Sequence, residues 1–397
     1  MKHYDFETLK PRFGRGSGKW NELERAFPGS PEGIIPFSVA DMEFMNAPEI
    51  REGLKNFIDD VPLGYGSPHE GYYEAVKGWM KRRHNWEIDR DWIITNRGVV
   101  EGFTIAVRAF TARGDGVILM TPVYYPMYAA IKRNGRRLVE NPLIIRDGHY
   151  RIDFEDLEKK AGDSATKLLL LCSPHNPTGR VWTQDELERI GRICVENGVL
   201  VVSDEIHCDL VMPGHTHRVF ASISETLAKQ SVIHTAPSKT FNLAGMQTSN
   251  TIISSPGLRE AFLGEMYAST GHSQCGILGY EACRLAYNEC GDWLDGAVAR
   301  IHANYLMVRD FLSRELEAVR VFDLEGTYLL WLDFNPLGID YRELERILKE
   351  EARLFFDEGY IFGEAGRGFE RWNLACPGRF IRDGLERLKG AFGKAGG

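Results

Sequence analysis

The sequence lacks any long hydrophobic run. Its longest apolar stretches, such as Leu168–Cys172 and Val199–Val202, hold only four or five residues, whereas a membrane-spanning helix needs about 20. The opening residues MKHYDFETLK contain no apolar core of a secretory signal. These absences predict a cytoplasmic protein without a membrane partner.

Paired cysteines are also missing. The seven cysteines are odd in number and irregularly spaced, and no CxxC motif occurs. Disulfide frameworks and structural zinc sites need regularly spaced cysteines. His207, Cys208, His215 and His217 match no tetrahedral ligand spacing. The cysteines therefore predict reduced thiols in a cytoplasmic protein, and we predict no metal site.

An excess of positive charge is absent as well. The 397 residues include 48 Lys and Arg against 56 Asp and Glu, which gives a net charge of −8. Non-specific nucleic-acid binding and attraction to anionic membranes both need a basic surface, so we expect neither partner. The length suggests two or three domains.

Apolar runs typical of strands alternate with amphipathic runs typical of helices. The predicted strands are 92–95, 117–120, 168–172, 199–203, 231–235, 251–254, 328–333 and 371–374. This alternation predicts an α/β fold with a mainly parallel sheet. We predict an N-terminal arm (1–45), a large domain (46–292) and a smaller α+β domain (293–397).

Three polar residues follow successive predicted strands. Asn176 comes after 168–172, Asp204 after 199–203, and Lys239 after 231–235. Taken singly, they could be a turn, a helix cap and a solvated lysine. Since strand ends of a parallel sheet share one edge, together they supply an amide, a carboxylate and an amine. Pyridoxal phosphate needs such an amine for a Schiff base and a carboxylate at its ring nitrogen, and an amide such as that of Asn176 can donate to its phenolic oxygen.

The motifs Asn-Pro-Thr-Gly, Ser-Asp-Glu and Ser-Lys stand at 176–179, 203–205 and 238–239. In this order and spacing, the chain resembles the fold-type I pyridoxal-phosphate enzymes of the aminotransferase class I/II superfamily. The resemblance implies a large domain with a mainly parallel sheet and a smaller α+β domain. It also implies a homodimer.

The same resemblance implies roles for further residues. Gly98, Val99 and Val100 would offer backbone N–H groups to the cofactor phosphate, and Ser238 would bind it as well. Tyr65 would reach the phosphate of the neighbouring subunit. The other implied contacts are Tyr124 stacked on the cofactor ring, His207 near its phenolic oxygen, and Arg371 and Ala40 at the substrate, with Arg371 holding the α-carboxylate.

Four short segments resemble the MalY/PatB-type C–S lyase (cystathionine β-lyase) branch of the superfamily: 17–20, 38–44, 203–207 and 238–242. Two positions depart from common superfamily patterns. Gln247 replaces a frequent arginine that binds phosphate, and Glu101 replaces a frequent proline near the mouth of the site.

We therefore expect a pyridoxal-phosphate-dependent lyase that eliminates a thiol from a sulfur amino acid such as cystathionine or cysteine, leaving pyruvate and ammonia. Lys239 would hold the cofactor and remove the Cα proton, and Asp204 would pair with the ring nitrogen. An aminotransferase would use the same residues. A regulatory or binding protein that retains the fold is a third possibility.

Overall fold

The computed structural model describes residue 2 and residues 4–271 and 275–393. The helices are α1 Gly18–Ala26, α2 Pro48–Asp60, α3 Glu70–His84, α4 Val99–Phe110, α5 Tyr125–Lys132, α6 Phe154–Ala161, α7 Gln184–Glu196, α8 Glu225–Lys229, α9 Pro237–Thr240, α10 Pro256–Thr270, α11 Ile277–Glu289, α12 Gly291–Glu315, α13 Tyr341–Arg346 and α14 Gly378–Phe392. The strands are β1 Ile35–Pro36, β2 Ile93–Asn96, β3 Gly116–Thr121, β4 Arg137–Pro142, β5 Ile144–Arg146, β6 His149–Arg151, β7 Thr166–Cys172, β8 Leu200–Asp204, β9 Ser231–Thr235, β10 Ser249–Ile252, β11 Arg320–Val321, β12 Leu329–Asp333, β13 Leu354–Phe355, β14 Asp357–Glu358 and β15 Phe369–Asn373.

A seven-stranded sheet with the order β2-β10-β9-β8-β7-β3-β4 forms the centre of the fold. Strands β9, β8, β7, β3 and β4 are parallel, and β10 is antiparallel to both of its neighbours. Every residue of β7 except Lys167 is buried, because helices cover both faces of the sheet. The prediction of an α/β fold is confirmed.

Hydrophobic cores lie on both faces of this sheet. Leu168 and Leu170 of β7 face the α4 and α5 side, whereas Leu169 and Leu171 belong to the larger core on the other side. The alternation follows from the two-residue side-chain period of a strand. None of the helices, across the described part of the chain, combines the length and apolarity needed to cross a lipid bilayer.

A second sheet has the order β11-β12-β15-β14, and α12 packs against α14 beside it. The N-terminal segment reaches this unit through β1, which pairs in parallel with β13. The proposed division between large and small domains, at 292/293, falls in the first turn of α12, a helix of 25 residues.

The bounds of one predicted strand differ from the structure because some of its buried residues are polar. The strand predicted at 251–254 lies at Ser249–Ile252. Its first two residues are polar but buried, since Asn250 accepts a hydrogen bond from Tyr72 and Ser249 donates to the Asn96 carbonyl. A search for apolar runs does not find such residues. By contrast, the start of α7 is marked locally, because Thr183 and Glu186 form a capping box.

Candidate active site

The carboxyl ends of the central strands open into a cavity of about 170 Å³. The parallel register aligns Cys172 of β7 with Asp204 of β8, and Asp204 with His234 of β9. The segments that follow these strands therefore meet at one edge of the sheet. The cavity is lined by Ala40, Arg97, Gly98, Val99, Val100, Tyr124, Cys172, Asn176, Asp204, Ile206, His207, Ser238, Lys239, Ala244, Gln247 and Thr248.

Lys239 extends from the short helix α9 into this cavity. Its Nζ donates a hydrogen bond to the Ala40 carbonyl at 2.7 Å, and the same carbonyl accepts from the Tyr328 hydroxyl at 2.8 Å. Burial lowers the pKa of Lys239 to about 8, and the positive charge of Arg371 acts in the same direction. At pH 7, roughly a tenth of this amine is therefore unprotonated and able to accept a proton, far more than at the ordinary lysine pKa.

Asp204 is the last residue of β8 and is only 4% exposed. Its Oδ1 accepts a hydrogen bond from the Ile206 backbone N–H at 3.1 Å. Burial raises the pKa of this carboxyl to about 7, although the nearby Lys239 lowers it. A buried carboxyl of this kind is stabilised as the carboxylate when a positively charged group binds beside it.

His207 lines the cavity as a buried side chain whose Nδ1 has no hydrogen-bond partner within residues 4–271 and 275–393. Burial and the charges of Lys239 and Arg371 hold the pKa of His207 well below its ordinary value. The ring is therefore neutral at physiological pH. Since buried polar atoms normally find partners, the unpartnered nitrogen is available to a polar ligand.

The N-terminus of α4 forms one end of the cavity. Gly98 is its N-cap, and a Cβ atom built on Gly98 would meet nothing within 4 Å. Ser238 also lines the cavity, and backbone N–H groups at a helix start bind anions well. Arg97 also lines the cavity and forms an ion pair with Glu101 at 2.6 Å. The negative charge of Glu101, at a position where a proline is frequent, is therefore paired with a neighbouring cation.

Arg371 lies behind the cavity wall on β15 and is 2% exposed. Its Nη1 donates to Asn176 Oδ1 at 2.8 Å, and its Nε and Nη2 both donate to Asp357 Oδ2. The Asn176 oxygen is thus engaged, which leaves its amide N–H groups as donors. Phe362 lies against the guanidinium, 4.6 Å from its carbon to the ring centroid.

Two predicted aromatic residues have different placements. Tyr124 lines the cavity, and its backbone N–H donates to the Asn176 carbonyl at 3.1 Å. Burial raises the pKa of its hydroxyl. Tyr65 does not line the cavity of its own chain, and its side chain is fully exposed. The structure therefore brings together every predicted cofactor residue except Tyr65.

Sequence reasoning missed several neighbours of these groups. Asp357, Tyr328 and Cys172 contact or line the site, yet Asp357 and Tyr328 carry no local motif. In the sequence, Cys172 stands only as the end of an apolar run. Only the second sheet and the loop at Ala40 bring Asp357 and Tyr328 to the cavity.

A separate buried group lies beside Thr240. His84, Cys208 and Asp209 place potential ligand atoms within 4.8 Å of one another. The Asp209 carboxylate already accepts hydrogen bonds from Trp79 Nε1, Thr240 Oγ1 and the His84 ring. This group is explained as a hydrogen-bond network that holds the end of α9.

Comparison with known proteins places this site in a family. Residues 32–387 match the family described as aminotransferase class I and II. The chain belongs to the aminotransferase class I and II family. The match takes in every predicted site residue, from Ala40 to Arg371.

Similar proteins within this family cover nearly the whole chain. Cystathionine beta-lyase PatB of Bacillus subtilis is 40% identical over 98% of this chain and 99% of its own length. Protein MalY of Escherichia coli is 31% identical over 97% of this chain and 98% of its own. The crystal structure of cystalysin from Treponema denticola, which contains a pyridoxal 5'-phosphate cofactor, is 48% identical with a TM-score of 0.97, covering 99% and 100% of the two chains.

The residues around the cavity fit pyridoxal phosphate. Lys239 offers an amine, Asp204 a buried carboxyl, and His207 an unpartnered buried nitrogen. The helix start at Gly98 leaves room for an anion. Each polar part of the cofactor therefore has a chemically suitable partner in this cavity.

Proposed function

We propose that this protein is a pyridoxal-phosphate-dependent carbon–sulfur lyase, which cleaves the Cβ–S bond of a sulfur amino acid such as cystathionine or cysteine. The products are a thiol, pyruvate and ammonia. The observation that carries the proposal is the buried Lys239 amine, with its pKa lowered to about 8, in one cavity with Asp204. The 40% identity to a cystathionine beta-lyase supports the reaction type.

Lys239 has two tasks in this proposal, which are to hold the cofactor and to move a proton. Bound pyridoxal phosphate withdraws electrons from the substrate Cα and so makes its proton acidic. Lys239, released when the substrate amine takes its place on the cofactor, would remove that proton, and the thiolate would then leave Cβ. A lysine whose pKa lies near the working pH is an effective base, and burial lowers the Lys239 pKa toward that range.

Four side chains would each contact a different part of the cofactor ring. Asp204 pairs with the ring nitrogen, and that positive partner offsets the penalty of burying the carboxylate. Asn176 donates its amide N–H to the phenolic oxygen, with His207 close to the same edge. Tyr124 stacks on the ring face. The cavity position of all four side chains supports these roles.

The start of α4 would hold the cofactor phosphate. The backbone N–H groups of Gly98, Val99 and Val100 and the hydroxyl of Ser238 surround this end of the cavity. Four unsatisfied N–H groups and the helix dipole favour an anion there. Gln247 also lines this wall and supplies an uncharged amide.

Arg371 binds the α-carboxylate of the substrate, and the Ala40 loop contacts the substrate beside it. Asp357 and Asn176 accept hydrogen bonds from three of the five guanidinium N–H groups. One N–H remains on each terminal nitrogen, which suits the two oxygens of a carboxylate. The substrate is therefore an amino acid rather than a simple amine.

The active unit in this proposal is a homodimer with shared sites. Tyr65 is fully exposed, and the nearby Leu63 is 58% exposed. Exposed apolar side chains this close together in the chain favour a protein interface at this segment. Tyr65 would bind the phosphate held by the partner, which accounts for its position outside its own cavity.

The chain is proposed to have three parts and to work in the cytoplasm. The chain is divided into an arm (1–45), a large cofactor domain (46–292) and a small domain (293–397). The protein is proposed to be cytoplasmic. All seven cysteines are free and buried, as suits a reducing compartment.

Product analysis tests the proposed reaction. The purified protein with pyridoxal phosphate and L-cystathionine should release thiol, pyruvate and ammonia without any keto acid, and Lys239→Ala should release none. Turnover that requires a keto-acid acceptor and forms a new amino acid without ammonia would identify an aminotransferase instead. Binding of pyridoxal phosphate without turnover of any amino acid would favour a regulatory protein.

A further inference from the structure

Asp357 lies across the strand pair β14–β15 from Arg371, in direct register. Its Oδ2 accepts from Arg371 Nη2 at 2.5 Å and from Nε at 3.1 Å. Asp357 is 5% exposed and Arg371 2%. With Asn176 Oδ1 at 2.8 Å from Nη1, these contacts fix the plane of the guanidinium.

The second oxygen of Asp357 contacts a different part of the site. Its Oδ1 accepts from the Val39 backbone N–H at 3.3 Å. Val39 has φ of 55°, in the left-handed region that β-branched residues avoid. The Val39 carbonyl is held as well, because Asn373 Nδ2 donates to it at 2.7 Å.

This strained turn determines where the next carbonyl points. The Ala40 carbonyl accepts from Lys239 Nζ at 2.7 Å. Strained backbone persists only where the surroundings hold it, and Asp357 is one of the groups that hold Val39. A single carboxylate therefore touches both the guanidinium of Arg371 and the turn that contacts Lys239.

We propose that Asp357 is a positioning residue, which sets the guanidinium of Arg371 and the Val39–Ala40 turn relative to each other. The amino-acid carboxylate then meets two aligned N–H groups while Cα lies beside Lys239. This proposal rests on the proposed role of Arg371 as the group that binds the substrate carboxylate. It adds a residue that orients Arg371 without touching substrate.

The test compares two ligands that differ only in the carboxylate. L-Alanine has no leaving group on Cβ, and ethylamine is alanine without its carboxylate. Their affinities for the holoenzyme are measured from the change in cofactor absorbance. We expect Asp357→Asn to weaken alanine binding about tenfold, the scale of one charged hydrogen bond, with less than about twofold change for ethylamine.

The matched control is Glu358→Gln at the next position. Glu358 pairs with Lys349 at 2.5 Å on the opposite side of β14, so its removal should change neither affinity. Asp357→Glu retains the charge needed to fold against buried Arg371, but it displaces the carboxylate by one methylene. We expect it to lose part of the preference for alanine.

The turn has its own test. Asp357→Asn should also lower kcat for cystathionine, because the carboxylate no longer holds the Val39 turn beside Lys239. Glycine adopts positive φ without strain, so Val39→Gly in the Asp357→Asn background should recover part of that kcat but leave alanine binding weak. No recovery would overturn the part of the proposal that concerns the turn.

The outcomes distinguish the proposal for Asp357 from the proposal for Arg371, on which it rests. If wild-type enzyme does not prefer alanine over ethylamine, the role of Arg371 is wrong. If wild type has the preference and Asp357→Asn keeps it, or if both ligands weaken equally, Arg371 stands and the proposal for Asp357 is overturned.

Discussion

Replacement of Asp204 by asparagine should stabilise the cofactor-free protein above pH 7. The carboxylate is buried, and burial raises its pKa from 3.8 to about 7 even though the nearby Lys239 lowers it. Asparagine keeps an oxygen that accepts from the Ile206 N–H. The substitution Asp204→Asn therefore removes only the negative charge of the side chain.

The sign and size follow from proton linkage. A carboxyl with a higher pKa in the folded chain destabilises the fold as pH rises from 3.8 to about 7. At about 1.4 kcal/mol for each tenfold change in proton affinity, the full penalty is about 4 kcal/mol above pH 7. At pH 5 only about 2 kcal/mol of it has developed.

Thermal unfolding provides the assay, on protein freed of pyridoxal phosphate by hydroxylamine dialysis. An unfolding entropy of about 2.1 cal/mol/K per residue gives about 0.8 kcal/mol per degree for this chain. Asp204→Asn should therefore raise Tm by about 5 °C at pH 8 and by about half as much at pH 5. In the holoenzyme, the same change should abolish most thiol release.

Asp209→Asn is the matched control, since this equally buried carboxylate accepts hydrogen bonds from Trp79, Thr240 and His84. Burial alone would raise the pKa of Asp209, but these hydrogen bonds hold it below the ordinary value, so its replacement should lower Tm at pH 8. If Asp204→Asn also lowered Tm at pH 8, or raised it equally at both pH values, the reasoning from burial would be refuted.

Borohydride reduction of the holoenzyme followed by peptide mapping should label Lys239, and a label on another lysine would contradict its assignment. Arg371→Lys should raise KM for cystathionine by about tenfold or more, because an ammonium lacks the guanidinium fork; an unchanged KM would place carboxylate binding elsewhere. Mixed dimers of inactive Lys239→Ala and impaired Tyr65→Ala subunits should regain activity, since one of their two sites is intact if Tyr65 serves the partner; absence of recovery would refute shared sites.

The strand-end residues could be read from the sequence because parallel strands impose a simple geometry. Asn176, Asp204 and Lys239 each follow an apolar run, and the ends of such runs meet at one sheet edge. The cavity contains all three. The start of α7 is likewise specified locally, because Thr183 and Glu186 form a capping box over only a few neighbouring residues.

Tertiary structure alone decided the contacts that tune these groups. Asp357 meets Arg371 only because β14 pairs with β15 in one register, and Ala40 meets Lys239 across 199 positions of chain. The pKa of Lys239 is about 8 and that of Asp204 about 7 because both side chains are buried. Local sequence specifies which chemical groups follow the strands. The pKa values of these groups and the backbone strain beside them depend on residues distant in the chain, because only the packed fold brings those residues close.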